Sequence, residues 1–466
     1  MEFLRATHDL SREDDVELMT TLTFYGGIGE IGGNKVLLED RNTRVWFDFG
    51  QSFTSGSDYF IDWLQPRGVA GAKDYFEFDL LPKIPGLYSR DSLKLTDLKY
   101  REPEFDAIFI SHPHFDHIAH IAFVDESIPI YLSKVGRAIV EAWEQSSTQA
   151  DFGEHKYFPF EPGKKIKVGS LEVLPLEVDH SIPGACGFIA YTSEGAVVYT
   201  GDFRKHGPRA TMTEEFVERA AEERPAAMVC EGTRVTPKEE RGYVGGEEEV
   251  RQESDRIVAE AKKLVVATFY GRDVDRMATF AKVAKDSGRQ FAVSTRTALL
   301  LTMLERIGME VPRLGHDFLV YARRKAAGEF EEMDYYKWER PFIKDAVNFE
   351  HVNCHQGELL LNLDFYHFAE LVDIHPDPGG HFIHSMSEPY SEEDLEAEVM
   401  QNWLRHFELR FHQIHASGHC SRREIEALVK EVNPKHVIPV HTEGSEIFRK
   451  VLSNVIVPKY GEPIKF

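Results

Sequence analysis

Four histidines and one aspartate fall within SHPHFDHIAH, residues 111 to 120, directly behind an apolar run. Imidazole nitrogens and carboxylate oxygens are the ligands that divalent cations such as zinc or manganese take. In an extended loop His112 and His114 project to the same side, so both rings can reach one cation. Asp116 and His117 follow where the chain turns into a helix, and they point elsewhere. One short motif can therefore feed two neighbouring metals, with His120 left as a bystander on solvent or packed against the helix. A single motif does not fill such a centre. His180 in VDHSIPG and Asp202 in YTGDFR supply the right ligand types at the ends of apolar runs, and a carboxylate such as Asp202 can bridge two ions.

These residues need a scaffold that brings them to one rim. Short β-rich runs end in polar residues at RVWFDFG (Asp48), AIFISH (His112), LEVLPLEVDH (His180), AVVYTGD (Asp202), AAMVCEG (Glu231), FHQIHASGH (His419) and HVIPVH (His441). That is the pattern of buried sheet strands with reactive side chains on the loops beyond them. From about 245 to 310 the rhythm changes: helical EEEVRQESDRIVAEAKK, strand KLVVATF, helix DVDRMATFAKVAKDSG, strand RQFAVST, helix RTALLLTMLERIG. Strands alternating with helices of that length predict parallel βαβ units, hence a second, doubly wound α/β domain. Residues 311 to 380 read as aromatic and irregular, and the pattern resumes at GGHFIHSMSEPY and EEDLEAEVMQNWLRHF. Ser421 with Glu424 fits a capping box, followed by Ile425, Leu428, Val429 and Val432 at helical spacing, so a helix is predicted just after His419. The aromatic stretch Phe53 to Glu104, which includes Trp63, reads as an insertion over the site or against a partner.

Composition narrows the class. A chain of 466 residues, 42% hydrophobic, can bury a large core and form two or more domains. It shows no apolar run of roughly 18 residues, and MEFLRATHDLSREDDVELMT carries acids where a signal peptide needs a basic flank. The expectation is a cytoplasmic enzyme with no membrane association. Cys186, Cys230, Cys354 and Cys420 lie far apart, which predicts reduced and mostly buried thiols. The net charge of −24 runs against a nucleic-acid substrate, since phosphate binding usually requires a basic face. Local basic clusters stand at Arg204/Lys205/Arg209, Arg272/Arg276, Arg323/Arg324/Lys325 and Arg422/Arg423; taken singly, each reads as a solvated surface.

The ordered set GGIGEIGGN, Asp48 in WFDFG, HPHFDH, His180, Asp202 in TGDFR, Glu231 in CEGT, His419 in ASGHCS and His441 in PVHTE resembles the metallo-β-lactamase superfamily. Within it the set is most similar to the β-CASP group and to ribonuclease J, in the shorter archaeal form without the C-terminal domain. The resemblance runs from Tyr25 to about Ile447. It implies an α/β fold, an αββα metallo-β-lactamase sandwich with an inserted β-CASP domain. The expected division is 1–236 for the first part of the sandwich, 237–412 for the insert and 413–466 for the remainder. Carried over, the resemblance gives one metal to His112, His114 and His180, and a second to Asp116, His117 and His441, with Asp202 bridging. Asp48 becomes a hydrogen-bonding support for the histidines. Asp116, Glu231 and His419 take catalytic roles, His419 as general acid held by Glu231. Arg296, His415, Ser417 and the Gly418 backbone become phosphate contacts.

The function so implied is a dinuclear ribonuclease with two Zn²⁺, or Mn²⁺ in their place. It hydrolyses single-stranded RNA with metal-activated hydroxide, as a 5′→3′ exonuclease, an endonuclease or both, and as a homodimer. The sequence departs from the family at Thr295–Arg296–Thr297, where relatives carry Gly-Arg-Ser, and at HSMSEPY, where they carry a Ser- and Pro-rich turn. Other classes remain open: a hydrolase of a small ester, lactone or thioester, which the acidity favours; a DNA nuclease; and a silent RNA-binding homologue, which the complete ligand set opposes.

Overall fold

Along Thr43–Phe49, Val45 and Phe47 point into a core between two sheets while Trp46 points to the outer face. The alternation breaks at Asp48, whose φ of 57° is left-handed, and Phe49 joins Trp46 on the outer side. The kink turns the Asp48 carboxylate toward the strand-end loops that carry the histidines. The structure, a computed structural model, describes residues 19–54, 56, 59–60, 64–147, 150–236, 245–387 and 395–466. The N-terminal acidic stretch, Trp63, the boundary at 236/237, positions 388–390 of HSMSEPY and the start of the EEDLEAE helix lie outside them.

Two sheets form the sandwich. One runs in the order Ile464–Lys465, Thr21–Phe24, Lys35–Asp40, Thr43–Phe49, Ala107–Phe109, Ile130–Ser133, Tyr157–Phe160. The other runs His436–Val440, Ala227–Glu231, Gly195–Tyr199, Cys186–Thr192, Leu171–Glu177, Ile166–Val168. Their inner faces interdigitate through Leu22, Phe24, Phe47, Phe109, Val173, Phe188 and Ile438. Helices Ala210–Glu222 and Arg422–Val432 cover the outer face of the second sheet through Phe216, Val217, Ile425 and Leu428. This is the α/β sandwich expected. His436–Val440 pairs in parallel with Ala227–Glu231, so residues from the far end of the chain close the second sheet.

A third sheet is wholly parallel: Leu319–Tyr321, Gln290–Ser294, Leu359–Asn362, Val265–Thr268, His381–His384, Arg410–Gln413. Helices pack on both of its faces, as the βαβ rhythm requires. Two of its strands, Leu319–Tyr321 and Leu359–Asn362, come from the region read as irregular; runs of three and four residues are too short to show a period. From Ala72 to Phe105 the aromatic insertion lies on the outer face of the first sheet, against Trp46 and Ile108. It therefore packs as core there, with Tyr75 edge-on to His120 at the end of the histidine stretch. Cys186, Cys230 and Cys420 are buried thiols and Cys354 is exposed, all free. No helix of the described residues is long and apolar enough to cross a membrane.

The basic clusters correct the surface reading. Arg204 and Arg276 are fully buried. Arg276 donates to both Glu247 carboxylate oxygens (2.9 and 3.0 Å), to Ser385 O and Oγ (2.8 and 2.7 Å) and to Ala416 O (3.3 Å). Arg204 donates to Asp179 (3.0 Å) and to Asp275 (2.7 Å), and Arg209 also reaches Asp275 (2.9 Å). Asp179 precedes His180 and Arg204 follows Asp202 by two, while Asp275 sits on Val274–Asp286 beside the third sheet. The charges thus tie the ligand loops of the sandwich to the helices of the third sheet. A buried pair broken from one side leaves an uncompensated charge. Arg276→Met is expected to cost about 3–5 kcal/mol, read as a lowered denaturant midpoint.

Candidate metal centre

The HPHFDH loop leaves the strand Ala107–Phe109 and turns into the short helix Phe115–Ile118. Its backbone is gripped from below: Asn34 N–H donates to Asp116 O (3.1 Å) and Gln51 N–H to Phe115 O (3.1 Å). Gly50 lies so close that a Cβ there would meet Asp116 O at 1.8 Å, so only glycine fits.

On this frame His112 Nε2 and His114 Nδ1 lie 3.0 Å apart, and His180 Nε2 stands 3.3 Å from the same His114 nitrogen. The second set gathers on the other side: His441 Nε2 is 2.8 Å from Asp116 Oδ2, and His117 Nε2 is 3.1 Å from Asp202 Oδ2. Asp202 Oδ2 is the hub. It lies 3.7 Å from His112 Nε2, 3.7 Å from His441 Nε2, 4.0 Å from His180 Nε2 and 3.9 Å from His419 Nδ1. A third group joins Asp202, Glu231 and His419, with His419 Nδ1 3.1 Å from Glu231 Oε1. All these side chains are buried except His114 and His419, which are partly open.

The hydrogen bonds behind the rings decide which nitrogen is free. The Ser111 hydroxyl donates to Asp48 Oδ2 (2.7 Å) and so accepts at His112 Nδ1 (3.0 Å). Asp48 Oδ2 accepts from His117 Nδ1 (2.7 Å) and from the Tyr199 hydroxyl (2.6 Å), which Asn34 holds in turn at 3.2 Å. The Thr233 hydroxyl donates to Glu231 Oε2 (2.9 Å) and accepts from His441 Nδ1 (2.7 Å). The Gly418 carbonyl accepts from His180 Nδ1 (2.6 Å). In each of these four rings Nδ1 carries a committed proton, so it is Nε2 that faces the cluster: as a lone pair in His112 and His180, and in His117 and His441 once the second proton has left.

Electrostatics sort the rings into two groups. Burial pushes His112 and His180 well below the usual imidazole range and His114 down to about 3, so three neutral rings face one another. Burial would lower His441 too, but the Asp202 and Asp116 carboxylates hold it up at about 9, and Asp202, Asp116 and Asp48 hold His117 well above its usual value. Asp202 Oδ1 is buried with no hydrogen-bond partner among the described residues. Converging lone pairs and an orphaned carboxylate oxygen are the donor set a divalent cation completes, so the residues present fit a metal.

The other expected residues fall as follows. His415 and Ser417 are buried; His415 Nδ1 is 3.2 Å from Ser385 O, and burial with Arg276 beside it pushes the ring down to about 3. Ser417 Oγ accepts from the His419 N–H (3.2 Å) and its carbonyl from His206 (2.9 Å). Arg296 is exposed and donates to Ser146 O (3.1 Å), away from the histidine cluster. His120 packs on Tyr75 and Phe123 with neither ring nitrogen hydrogen-bonded.

Residues 85–264 match the model of the β-lactamase superfamily domain, and residues 406–458 match the RNA specificity domain of the Zn-dependent metallo-hydrolases. The chain thus carries a β-lactamase superfamily domain and is ribonuclease J-like. It is 23% identical to ribonuclease J of Sinorhizobium meliloti over 96% of this chain and 72% of that one. It is likewise 23% identical to ribonuclease J of Thermus thermophilus, over 92% and 69%. Among solved structures it is similar to a protein of unknown function from Enterococcus faecalis V583, with a TM-score of 0.74 at 22% identity, covering 96% of this chain and 100% of that one; this likeness speaks to the fold. The RNA-specificity match takes in His415, Ser417, Gly418, His419 and His441.

Ser111, Tyr199, Asn34 and Thr233 escaped the sequence reading. A single hydroxyl or amide has no spacing signature, although Ser111 and Thr233 adjoin motifs that do. Outer partners of ligand histidines typically carry 10–100-fold in metal affinity. Thr233→Val is expected to weaken metal binding by about that factor, read by competition with a chromogenic chelator.

Proposed function

We propose that this metal-dependent enzyme hydrolyses phosphodiester bonds of single-stranded RNA at a dinuclear centre. His112, His114 and His180 would hold one ion and Asp116, His117 and His441 the other, with Asp202 between them. The observation that carries this reading is the convergence of histidine nitrogens around Asp202 Oδ2, in a chain whose residues 406–458 match an RNA specificity domain. Zinc suits the all-N/O donor set, with manganese the alternative. Bound divalent cations supply Lewis acidity toward phosphate and water.

The chain's own residues do the rest. Asp48, through Ser111 and directly, keeps His112 and His117 aimed; Glu231, through Thr233, does the same for His441. Glu231 also holds His419 at Nδ1, so the proton this ring can give sits on Nε2. The His419 side chain is 20% exposed, whereas Glu231 and Asp202 beside it are 1–2% exposed. A substrate oxygen can therefore reach His419 from solvent, which suits it to protonating the departing 3′-oxygen. The Gly418 carbonyl is engaged with His180, so we assign it to orienting that ligand and keep the Gly418 N–H for the expected phosphate contact. We place the sandwich in 1–236 and 413–466, the β-CASP insert in 237–412, and the enzyme in the cytoplasm as a homodimer.

End-labelled single-stranded RNA incubated with the zinc- or manganese-loaded protein should yield mononucleotides from the 5′ end, internal fragments, or both. Intact RNA under both metals would overturn the reading. Metal analysis should read two equivalents, falling after His114→Ala. His419→Ala should keep both ions and lose roughly 10²–10⁴-fold in rate, the usual worth of a general acid; loss of metal in that variant would refute its assignment.

A further inference from the structure

From Ala416 to His419, each backbone carbonyl is held by a side chain from a different part of the fold. Arg276 donates to Ala416 O (3.3 Å), His206 Nε2 to Ser417 O (2.9 Å), His180 Nδ1 to Gly418 O (2.6 Å) and Arg234 Nη1 to His419 O (3.1 Å). In a planar trans peptide the C=O and the N–H of the next residue point in opposite directions, so fixing one fixes the other. Two of the N–H groups set in this way are used at once. The His419 N–H reaches Ser417 Oγ (3.2 Å), and the Cys420 N–H reaches Phe203 O (2.9 Å). The Ser417 and Gly418 N–H groups meet no acceptor among the described residues. Successive N–H groups left free beside His419 are donors that an anion can take up.

Three of the four holders have other duties. Arg276 is paired with Glu247 under the third sheet, His180 presents Nε2 to the histidine cluster, and Arg234 sets an N–H that is already bonded. His206 sets the free Gly418 N–H. Its ring is 14% exposed, and Nδ1 stands 3.6 Å from Glu424 Oε1. Glu424 is itself fixed by the capping box, where its Oε2 accepts the Ser421 N–H (2.7 Å). Burial would raise this carboxyl, but His206 and the Ser421 N–H hold it at about 2. The stretch from Asp202 to His206 is thus strapped to the 417–420 loop at two points, through Phe203 O and through the His206 ring. One loop sets both the Asp202 hub and the direction of the Gly418 N–H.

We propose that His206 is a positioning residue for phosphodiester cleavage: by holding the Ser417 carbonyl it aims the Gly418 N–H at a non-bridging oxygen of the phosphate. A donor aimed before the substrate arrives costs no reorganisation when charge builds on that oxygen. Without the imidazole the Ser417–Gly418 peptide plane is free to turn, and a carbonyl turned toward the phosphate would repel it. The inference rests on the nuclease reading for the role of the phosphate, and its test separates the two.

Two measurements make that test on zinc-loaded full-length protein. In the first, isotope-labelled glycine reports the Gly418 amide proton, assigned by its loss in Gly418→Ala, while inorganic phosphate is added. Phosphate should move this resonance downfield in the wild type, and the shift should vanish in His206→Ala. His206→Gln, whose side-chain amide can donate to the same carbonyl, should recover part of it. In the second, RNA cleavage by His206→Ala should show kcat lowered on the order of tenfold to a hundredfold with KM little changed, somewhat less than removal of an oxyanion donor itself costs. Zinc content should match the wild type. His206→Phe, which keeps the bulk of the ring without its donor, serves in both measurements if His206→Ala does not fold. No phosphate-induced shift in the wild type, or an equal shift in the folded variant, would overturn the proposal, as would an unchanged kcat. Intact RNA with the wild type would refute the nuclease reading, and the Gly418 shift would then decide the role of His206 alone.

Discussion

The centre depends on hydrogen bonds made behind the imidazoles. With Nδ1 of His112, His117, His180 and His441 committed to Ser111, Asp48, Gly418 and Thr233, each ring is held in one orientation with Nε2 toward the cluster. A cation meeting such a site has no rotamers to freeze, and affinity otherwise spent on ordering is kept. The same arrangement explains the state of the free centre. Asp202 and Asp116 are buried anions, and raised proton affinity at His117 and His441 offsets them. Metal binding must displace those protons, so affinity and acidity are linked.

The supports come from separate stretches of chain. Asp48 is turned inward by a left-handed backbone, a strain of order 1–3 kcal/mol, and three donors besides His117 converge on it. His441 shares that conformation and is held by Thr233 and Glu231 from the neighbouring strand end. Around this lies a shell of arginine–carboxylate pairs that fixes the loops of His180 and Asp202 against the helices of the third sheet. The cleft between sandwich and third sheet is thereby set by buried charge rather than by apolar contact alone.

Much of this was legible in the sequence. HPHFDH, with two ligands on alternate positions and two more at a helix start, declares its chemistry in six residues, and His180, Asp202 and His441 are marked by the strands they terminate. The long βαβ rhythm from 245 to 310 and the Ser421–Glu424 capping box also read directly, and both stand in the fold. What escaped had no period or spacing to reveal it. Strands of three or four residues between 311 and 380 cannot show alternation. Thr233 and Tyr199 act through one hydroxyl each. Arg276 and Arg204 looked like solvated charge, because burial of a guanidinium depends on partners far away in sequence: Glu247 and Ser385 for one, Asp179 and Asp275 for the other. That the Gly418 carbonyl supports His180 also escaped, since which way a carbonyl points is a tertiary matter.

The parallel pairing of His436–Val440 with Ala227–Glu231 also has a bearing on biosynthesis. His441 lies 325 positions after Asp116, its partner at the second cluster. A ribosome that has delivered the sandwich strands through Glu231 has released a protein with one edge unpaired and one histidine short. Until the strand before His441 emerges and docks, the nascent polypeptide lacks one of the histidines that gather around Asp202 Oδ2.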